Sequence, residues 1–309
     1  MPRSPYRCFR TSSGLPSVVF VALLAAGVTA CSATDTPAAG VAPAPSAGVD
    51  GPGAPSGPAR SARASPTAPA DPSTPVGPSA PAGPSAARPL AGKVVVIDPG
   101  HNGGNAAHPE IINRLVNVVT ERKACDTTGT QTDAGYPEHA FTFSVATGLA
   151  RLLRREGAKV ILTRSNDHGV GPCITQRARI GNRAHADAAI SVHADGGPPS
   201  GIGFQVLEPG LVPGYNNRII RPSRRLGLGI RTAYHRITGE PYSTYAGQRG
   251  IEVRTDLGGL NLSTVPKVFI ECGNMRNAAD AARLTSPAFR QRIVKGLAAG
   301  LTAFLRAPG

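Results

Sequence analysis

The C-terminal two thirds of this sequence predict one α/β domain, a twisted and mostly parallel sheet with helices on both faces. Short apolar runs rich in β-branched residues alternate with segments in which apolar side chains recur at helical spacing, the pattern of strands crossed over by helices. The first strand, Lys93-Val-Val-Val-Ile97, holds a continuous run of β-branched apolar residues, which suits burial on both faces of a parallel sheet. The third observation is where the sheet-forming sequence stops. Residues 32–90 hold 14 of the 30 prolines and no Phe, Tyr or Trp. Ordering a residue costs about 1–2 kcal/mol of backbone entropy, and such a stretch has too little large apolar surface to offset it. About 219 residues then remain, enough for a full core.

Along the domain, Lys93–Ile97 is the first strand. Pro137 and Glu138 open a helix carrying Phe141, Val145, Leu149, Leu152 and Leu153 on one face, and Gly157 closes it. Lys159–Thr163 reads as a strand, Thr175–Ala186 as a helix and Ala188–His193 as a strand. Gly203–Leu207 and Arg224–Thr238 follow as strand and helix. Lys267–Glu271 is the last apolar strand, and Ser286-Pro287 supplies a cap and first-turn pair for a terminal helix to Leu305.

The N-terminus has the character of an export signal. Arg3, Arg7 and Arg10 precede the apolar run Val18–Ala26, which is too short for an ordinary membrane span of ~20 residues. Val28-Thr-Ala-Cys31 resembles a lipobox, which would make Cys31 a lipidated mature N-terminus and attach the chain to a membrane; soluble secretion is the alternative. The expected organisation is a signal peptide over 1–31, a disordered linker over 32–92 and a catalytic domain over 93–309. Export permits disulfides, and Cys125 and Cys173, both in loop sequence, are the expected pair, against the alternative that these two and Cys272 are all free. Cys272 follows an apolar strand and is expected to be a small buried residue.

Ligands of such sheets bind at the carboxyl ends of strands. His101 follows the first strand in Ile-Asp-Pro-Gly-His-Asn-Gly-Gly, His193 ends Ile190-Ser-Val-His, and Glu271 ends Val-Phe-Ile-Glu. Three strands thus bring titratable side chains to one edge. Imidazole nitrogens and a carboxylate are the ligand types of a catalytic zinc, which keeps one position for water. The histidines are far apart in sequence, so spacing alone leaves open that each is a hydrogen-bonded structural residue.

Taken together, Val94-Val-Val-Ile-Asp-Pro-Gly-His-Asn-Gly, Tyr136-Pro-Glu-His-Ala-Phe, Ser191-Val-His-Ala-Asp and Val268-Phe-Ile-Glu-Cys-Gly-Asn-Met-Arg-Asn277 resemble the zinc-dependent N-acetylmuramoyl-L-alanine amidases of the type 3 family, closest to the mycobacterial-like branch. The resemblance covers roughly residues 93–305. It implies that His101, Glu138 and His193 bind Zn2+ and that Glu271 is the catalytic acid/base. It also implies that the substrate is peptidoglycan or its muropeptides, cut between N-acetylmuramic acid and L-alanine. The run after Glu271, Cys-Gly-Asn-Met, departs from the Gly-Phe common in the family. Ile111–Val119 is the one candidate for a helix that could plug the site.

The chain carries a formal charge of +14, and residues 91–309 alone carry 27 Lys/Arg against 16 Asp/Glu, about +11. Such a surface attracts anionic wall polymers or stem-peptide carboxylates. Nucleic acid is excluded as a partner by export, and a monomer is expected. Arg218, Arg221, Arg224, Arg225 and Arg231 form the densest basic stretch, and Arg249, Arg254 and Asn261 are candidates for contacting the stem peptide. Two rival functions use the same features: a zinc peptidase acting within the stem peptide, and a wall-binding lipoprotein without catalysis.

Overall fold

The computed structural model describes residues 88–308. The signal segment, Cys31 and the linker up to residue 87 lie outside the described residues. In chain order the elements are β1 (Val94–Pro99), α1 (Pro109–Ile112), β2 (Leu115–Asn117), β3 (Arg122–Ala124), α2 (Glu138–Arg155), β4 (Lys159–Leu162), α3 (Ile174–Arg183) and β5 (Ala188–Asp195). They continue with β6 (Gln205–Pro209), α4 (Ile220–Thr238), β7 (Ile251–Arg254), α5 (Gly258–Asn261), β8 (Lys267–Asn274), α6 (Ala278–Thr285) and α7 (Pro287–Arg306).

Six strands form one sheet in the order β4-β1-β5-β8-β6-β7, and every neighbouring pair is parallel except β6 with β8. The small β2–β3 hairpin stands apart from it. The two faces of the sheet are unequal. On one, Val95, Ile97, Ile190, Val192, Val268 and Ile270 pack with α2, α4 and α7 into the main core, where Leu149, Leu153 and Leu297 are fully buried. Each such leucine contributes about 1.5–3 kcal/mol through burial. On the other face Val96 and Ala189 meet α3 through Ile180 and Ala184. Further along the strands the side chains on this second face turn polar: Asp98, Ser191, His193 and Glu271. The thin apolar layer thus ends where the site begins.

Local chemistry explains most boundaries. The Ser286 hydroxyl accepts from the Phe289 amide at the start of α7, and Asn277 accepts from the Ala279 and Asp280 amides at the start of α6. After α2, Gly157 takes φ +102°, a conformation open to glycine. Leu90 is fully buried and its amide bonds to the Glu156 carbonyl at 2.9 Å, so the folded unit takes in residues ahead of the boundary at 93.

Several expectations shift. The helix expected over Thr175–Ala186 ends at Arg183, because Ala186 packs under the sheet beside Val96. The strand expected from Gly203 begins at Gln205, after Gly203 takes φ +96°. The helix expected from Arg224 begins at Ile220, with Pro222 in its first turn, where no helical hydrogen bond is lost. Ile111–Val119 is not a helix: α1 stops at Ile112 and the chain continues into β2. Cys125 and Cys173 form the expected disulfide, closing 48 positions of chain, and Cys272 is buried and free.

Candidate active site

Pro99 and Gly100 turn the chain out of β1, and His101 follows with φ +58°, a left-handed conformation uncommon for a residue with a side chain. Its Nδ1 faces the Thr127 carbonyl at 3.0 Å and an Asp126 carboxyl oxygen at 3.5 Å, which leaves Nε2 toward Glu138 Oε2 at 3.1 Å. Glu138, the first residue of α2, is held at both oxygens: the Thr130 amide donates to Oε2 at 3.0 Å and the Ala194 amide to Oε1 at 3.2 Å. His193 Nδ1 stands 2.9 Å from Glu138 Oε1, and the ring stacks on Phe269 with centroids 4.0 Å apart. Glycines make the approach possible. A Cβ on Gly100 would collide with the His193 ring, and one on Gly129 would lie 2.7 Å from His101 Cδ2.

One donor atom from each of His101, Glu138 and His193 lies within 4.8 Å of the others. Nitrogen and oxygen ligands of a zinc sit about 2.0–2.2 Å from it, so a set this compact can share one centre. The second ring nitrogen of His101 is already oriented by Thr127 and Asp126, as metal-binding imidazoles usually are. The donor set therefore fits a divalent metal ion.

The charges agree with that fit. Burial opposes ionisation of Glu138, but His101 and His193 outweigh it and hold the carboxyl well below its usual range. Burial likewise opposes charge on His101, yet Glu138 and Asp126 raise it to about 10. His193 is pushed down by burial, only partly offset by Glu138. A metal entering here competes with a proton on His101, so its uptake is coupled to proton release.

Glu271 sits directly across from His193 in the parallel β5–β8 register. Its Oε2 is buried with no hydrogen-bond partner. Burial, then the negative charges of Glu138 and Asp195, push its carboxyl well above the ordinary value. These four residues line a cleft of about 550 Å³, together with Asp195, Phe269 and the segment Asp256–Leu260.

The match to known proteins follows the same residues. A model of the N-acetylmuramoyl-L-alanine amidase family matches residues 95–303. The chain belongs to the N-acetylmuramoyl-L-alanine amidase family, type 3. It is 40% identical over 230 residues to an N-acetylmuramoyl-L-alanine amidase of Mycobacterium tuberculosis, covering 71% of this chain and 89% of that protein. Two solved structures are similar. The N-acetylmuramyl-L-alanine amidase of Mycobacterium smegmatis has 39% identity and a TM-score of 0.66, covering 70% of this chain and 98% of that one. The apo form from Mycobacterium abscessus has 40% identity and a TM-score of 0.65, covering 70% and 100%. This amidase is thus a peptidoglycan hydrolase of the muramoyl-alanine bond.

The structure brings His101, Glu138, His193 and Glu271 together. It does not bring Arg249, Arg254 or Asn261 to the cleft. Arg254 is paired with Asp256 and Glu252, and Asn261 is fully buried, donating to the Val118 and Thr255 carbonyls at 2.9 and 2.7 Å. Both hold the loop beneath the β2–β3 hairpin, while Arg249, just before β7, lines a separate groove. His139 pairs with Asp167 at 2.7 Å. Sequence reasoning missed Arg177. Buried on α3, it grips Asp98 at 3.0 Å, Asp126 at 2.9 Å and the carbonyls of Pro99 and His101 at 2.6 and 3.0 Å. Its position on the sheet-facing side of a helix, where an arginine needs carboxylate partners, was the available signal.

Proposed function

We propose that the amidase holds a zinc ion with His101, Glu138 and His193 and uses Glu271 as its general base and acid. The observation that carries this reading is the pairing of a compact His-Glu-His donor set with a buried carboxyl whose Oε2 has no partner, on adjacent strands. When bound, zinc supplies a Lewis acid that acidifies water and polarises the amide carbonyl. The side chains do the rest. Glu138, fixed by the Thr130 and Ala194 amides, orients both imidazoles. Glu271 accepts a proton from the attacking water at its unpartnered oxygen. It then delivers that proton to the leaving nitrogen, without which an amide cannot depart as an amine. A carboxyl whose affinity for protons is raised by burial suits the second task.

The bond cut joins the lactyl carbonyl of N-acetylmuramic acid to the amine of L-alanine, and the cleft over the second face of the sheet is where the stem peptide would lie. The N-terminal sequence supports export to the cell envelope, with Cys31 as the site of a lipid anchor and the Pro-rich residues that follow it, up to 87, as the tether. Digestion of purified muropeptides with and without a chelator, followed by mass spectrometry, tests the reading. The amidase should free an L-alanine amine only while metal is present. Cleavage within the stem, or release that survives the chelator and metal-free dialysis, would overturn it.

A further inference from the structure

We propose that the end of the domain at which the chain enters is a docking surface for anionic phospholipid, which turns the catalytic cleft away from the membrane. β1, β4, β5 and β8 start at one end of the sheet and deliver His101, His193 and Glu271 at the other. His193 lies five steps along β5 from Ala188, about 16 Å at ~3.3 Å per residue.

Hydrogen bonds tie the starting end into one surface. The Leu90 amide bonds to the Glu156 carbonyl after α2, at 2.9 Å. Thr302 near the end of α7 donates to the Glu156 carboxylate at 2.7 Å, and Arg225 in the first turns of α4 donates to the Pro308 carbonyl at 3.0 Å. On the other side Asp187, just before β5, accepts from the Val94 amide at 2.7 Å. The end of α2, the end of α7, the start of α4 and the entry of the chain therefore share one end of the molecule.

That end is basic. Arg155, Arg183, Arg218, Arg221, Arg225 and Arg306 are all exposed there. No acidic residue lies within Asn217–Thr238 or Pro287–Arg306. Of the carboxylates nearby, Glu156 is engaged by Thr302, Asp187 by the Val94 amide and Lys93, and Glu208 is buried against Arg224. The guanidinium groups project from the ends of four helices rather than line one groove, which suits a charged plane better than a single bound chain. Charge complementarity selects an anionic surface. The point of entry selects lipid over wall polymer: the sequence that leads back to the apolar run Val18–Ala26 joins the fold at this end. Docking in this sense leaves the cleft open toward the wall. The proposal does not depend on the assignment of Glu271 or on a lipid at Cys31.

The test is co-sedimentation of the full chain with vesicles of phosphatidylcholine alone or mixed with phosphatidylglycerol. Wild type is compared with R155Q/R183Q/R218Q/R221Q, whose four arginines make no hydrogen bond or ion pair among the described residues. The N-terminal sequence is common to both proteins, so the readout is the excess partitioning onto anionic over neutral vesicles. Each Lys or Arg near an anionic surface contributes about fivefold. The excess should fall at least tenfold in the variant, and in wild type it should fall as salt rises. Unchanged thermal unfolding of the variant would show that the fold survives. The same excess in both proteins would overturn the proposal. So would retention on isolated anionic wall material with none on anionic vesicles, which would make wall polymer the occupant.

Discussion

Replacing Arg177 by Met tests how the site is supported from beneath. Arg177 is 4% exposed at its side chain and donates to Asp98, Asp126 and the carbonyls of Pro99, His101 and Pro172. Methionine keeps most of the volume and none of the donors. Asp98 would retain Lys267 at 3.3 Å, Thr163 at 2.6 Å and Ser191 at 2.7 Å, whereas Asp126 would keep only the Thr127 amide and His101. Breaking a buried pair by removing one partner costs about 3–5 kcal/mol. A domain of this size shifts by about 2–4 °C per kcal/mol, so the melting temperature should fall by roughly 6–20 °C. Calorimetry across pH adds a sign. Burial opposes ionisation of Asp98, but Lys267 and Arg177 outweigh it and hold the carboxyl well below its ordinary 3.8. Its contribution is therefore present above about pH 4 and lost on acidification, so the gap between wild type and R177M should narrow as pH falls. Because Arg177 also holds the His101 carbonyl and Asp126, metal affinity should drop about 10–100-fold. Unfolding within 1 kcal/mol of wild type, with an unchanged metal titration, would refute the reasoning.

Three other outcomes are expected. His193→Ala should lose its metal by elemental analysis while keeping the circular dichroism of the fold; full metal content would remove His193 from the donor set. Reducing the Cys125–Cys173 disulfide, which closes 48 positions, should cost up to about 4 kcal/mol in urea unfolding, since the reduced unfolded chain gains loop entropy. No change in the midpoint would count against that account. Burial raises Glu208 to about 7 in spite of Arg224, so the folded protein binds a proton more tightly than the unfolded chain between about 4.5 and 7. Stability should fall as pH rises through that window, and E208Q should flatten the slope and be the more stable protein above pH 7.

Much of the fold was legible because it rests on apolar continuity. The parallel strands leading to His101, His193 and Glu271 are short, mostly apolar runs, and α2 and α7 carry their first-turn prolines or caps and their core faces in sequence. The elements that escaped have short or mixed patterns. β7, Ile-Glu-Val-Arg, is a half-exposed edge strand, and β2 and β3 are three residues each, with the turn residue Val118 set close against Gly258. At the site, His101 and His193 could be placed by strand ends alone. Glu138 came only through family resemblance, since nothing local separates it from His139; the structure separates them by pairing His139 with Asp167 and aiming Glu138 at both imidazoles. Arg254 and Asn261 misled because their role, holding one loop, depends on contacts distant in sequence. Arg177 had one local signal, its place on the sheet-facing side of α3, but its carboxylate partners lie 51 to 79 positions away in sequence.

The central claim, that a metal held by His101, Glu138 and His193 works with Glu271 on the muramoyl-alanine bond, is tested most directly by metal-loaded Glu271→Gln. Glutamine preserves shape but cannot carry the proton. With metal content equal to wild type, turnover of a purified muropeptide should fall about 10²–10⁴-fold, the usual contribution of a general acid–base group. Turnover at the wild-type rate would contradict the account.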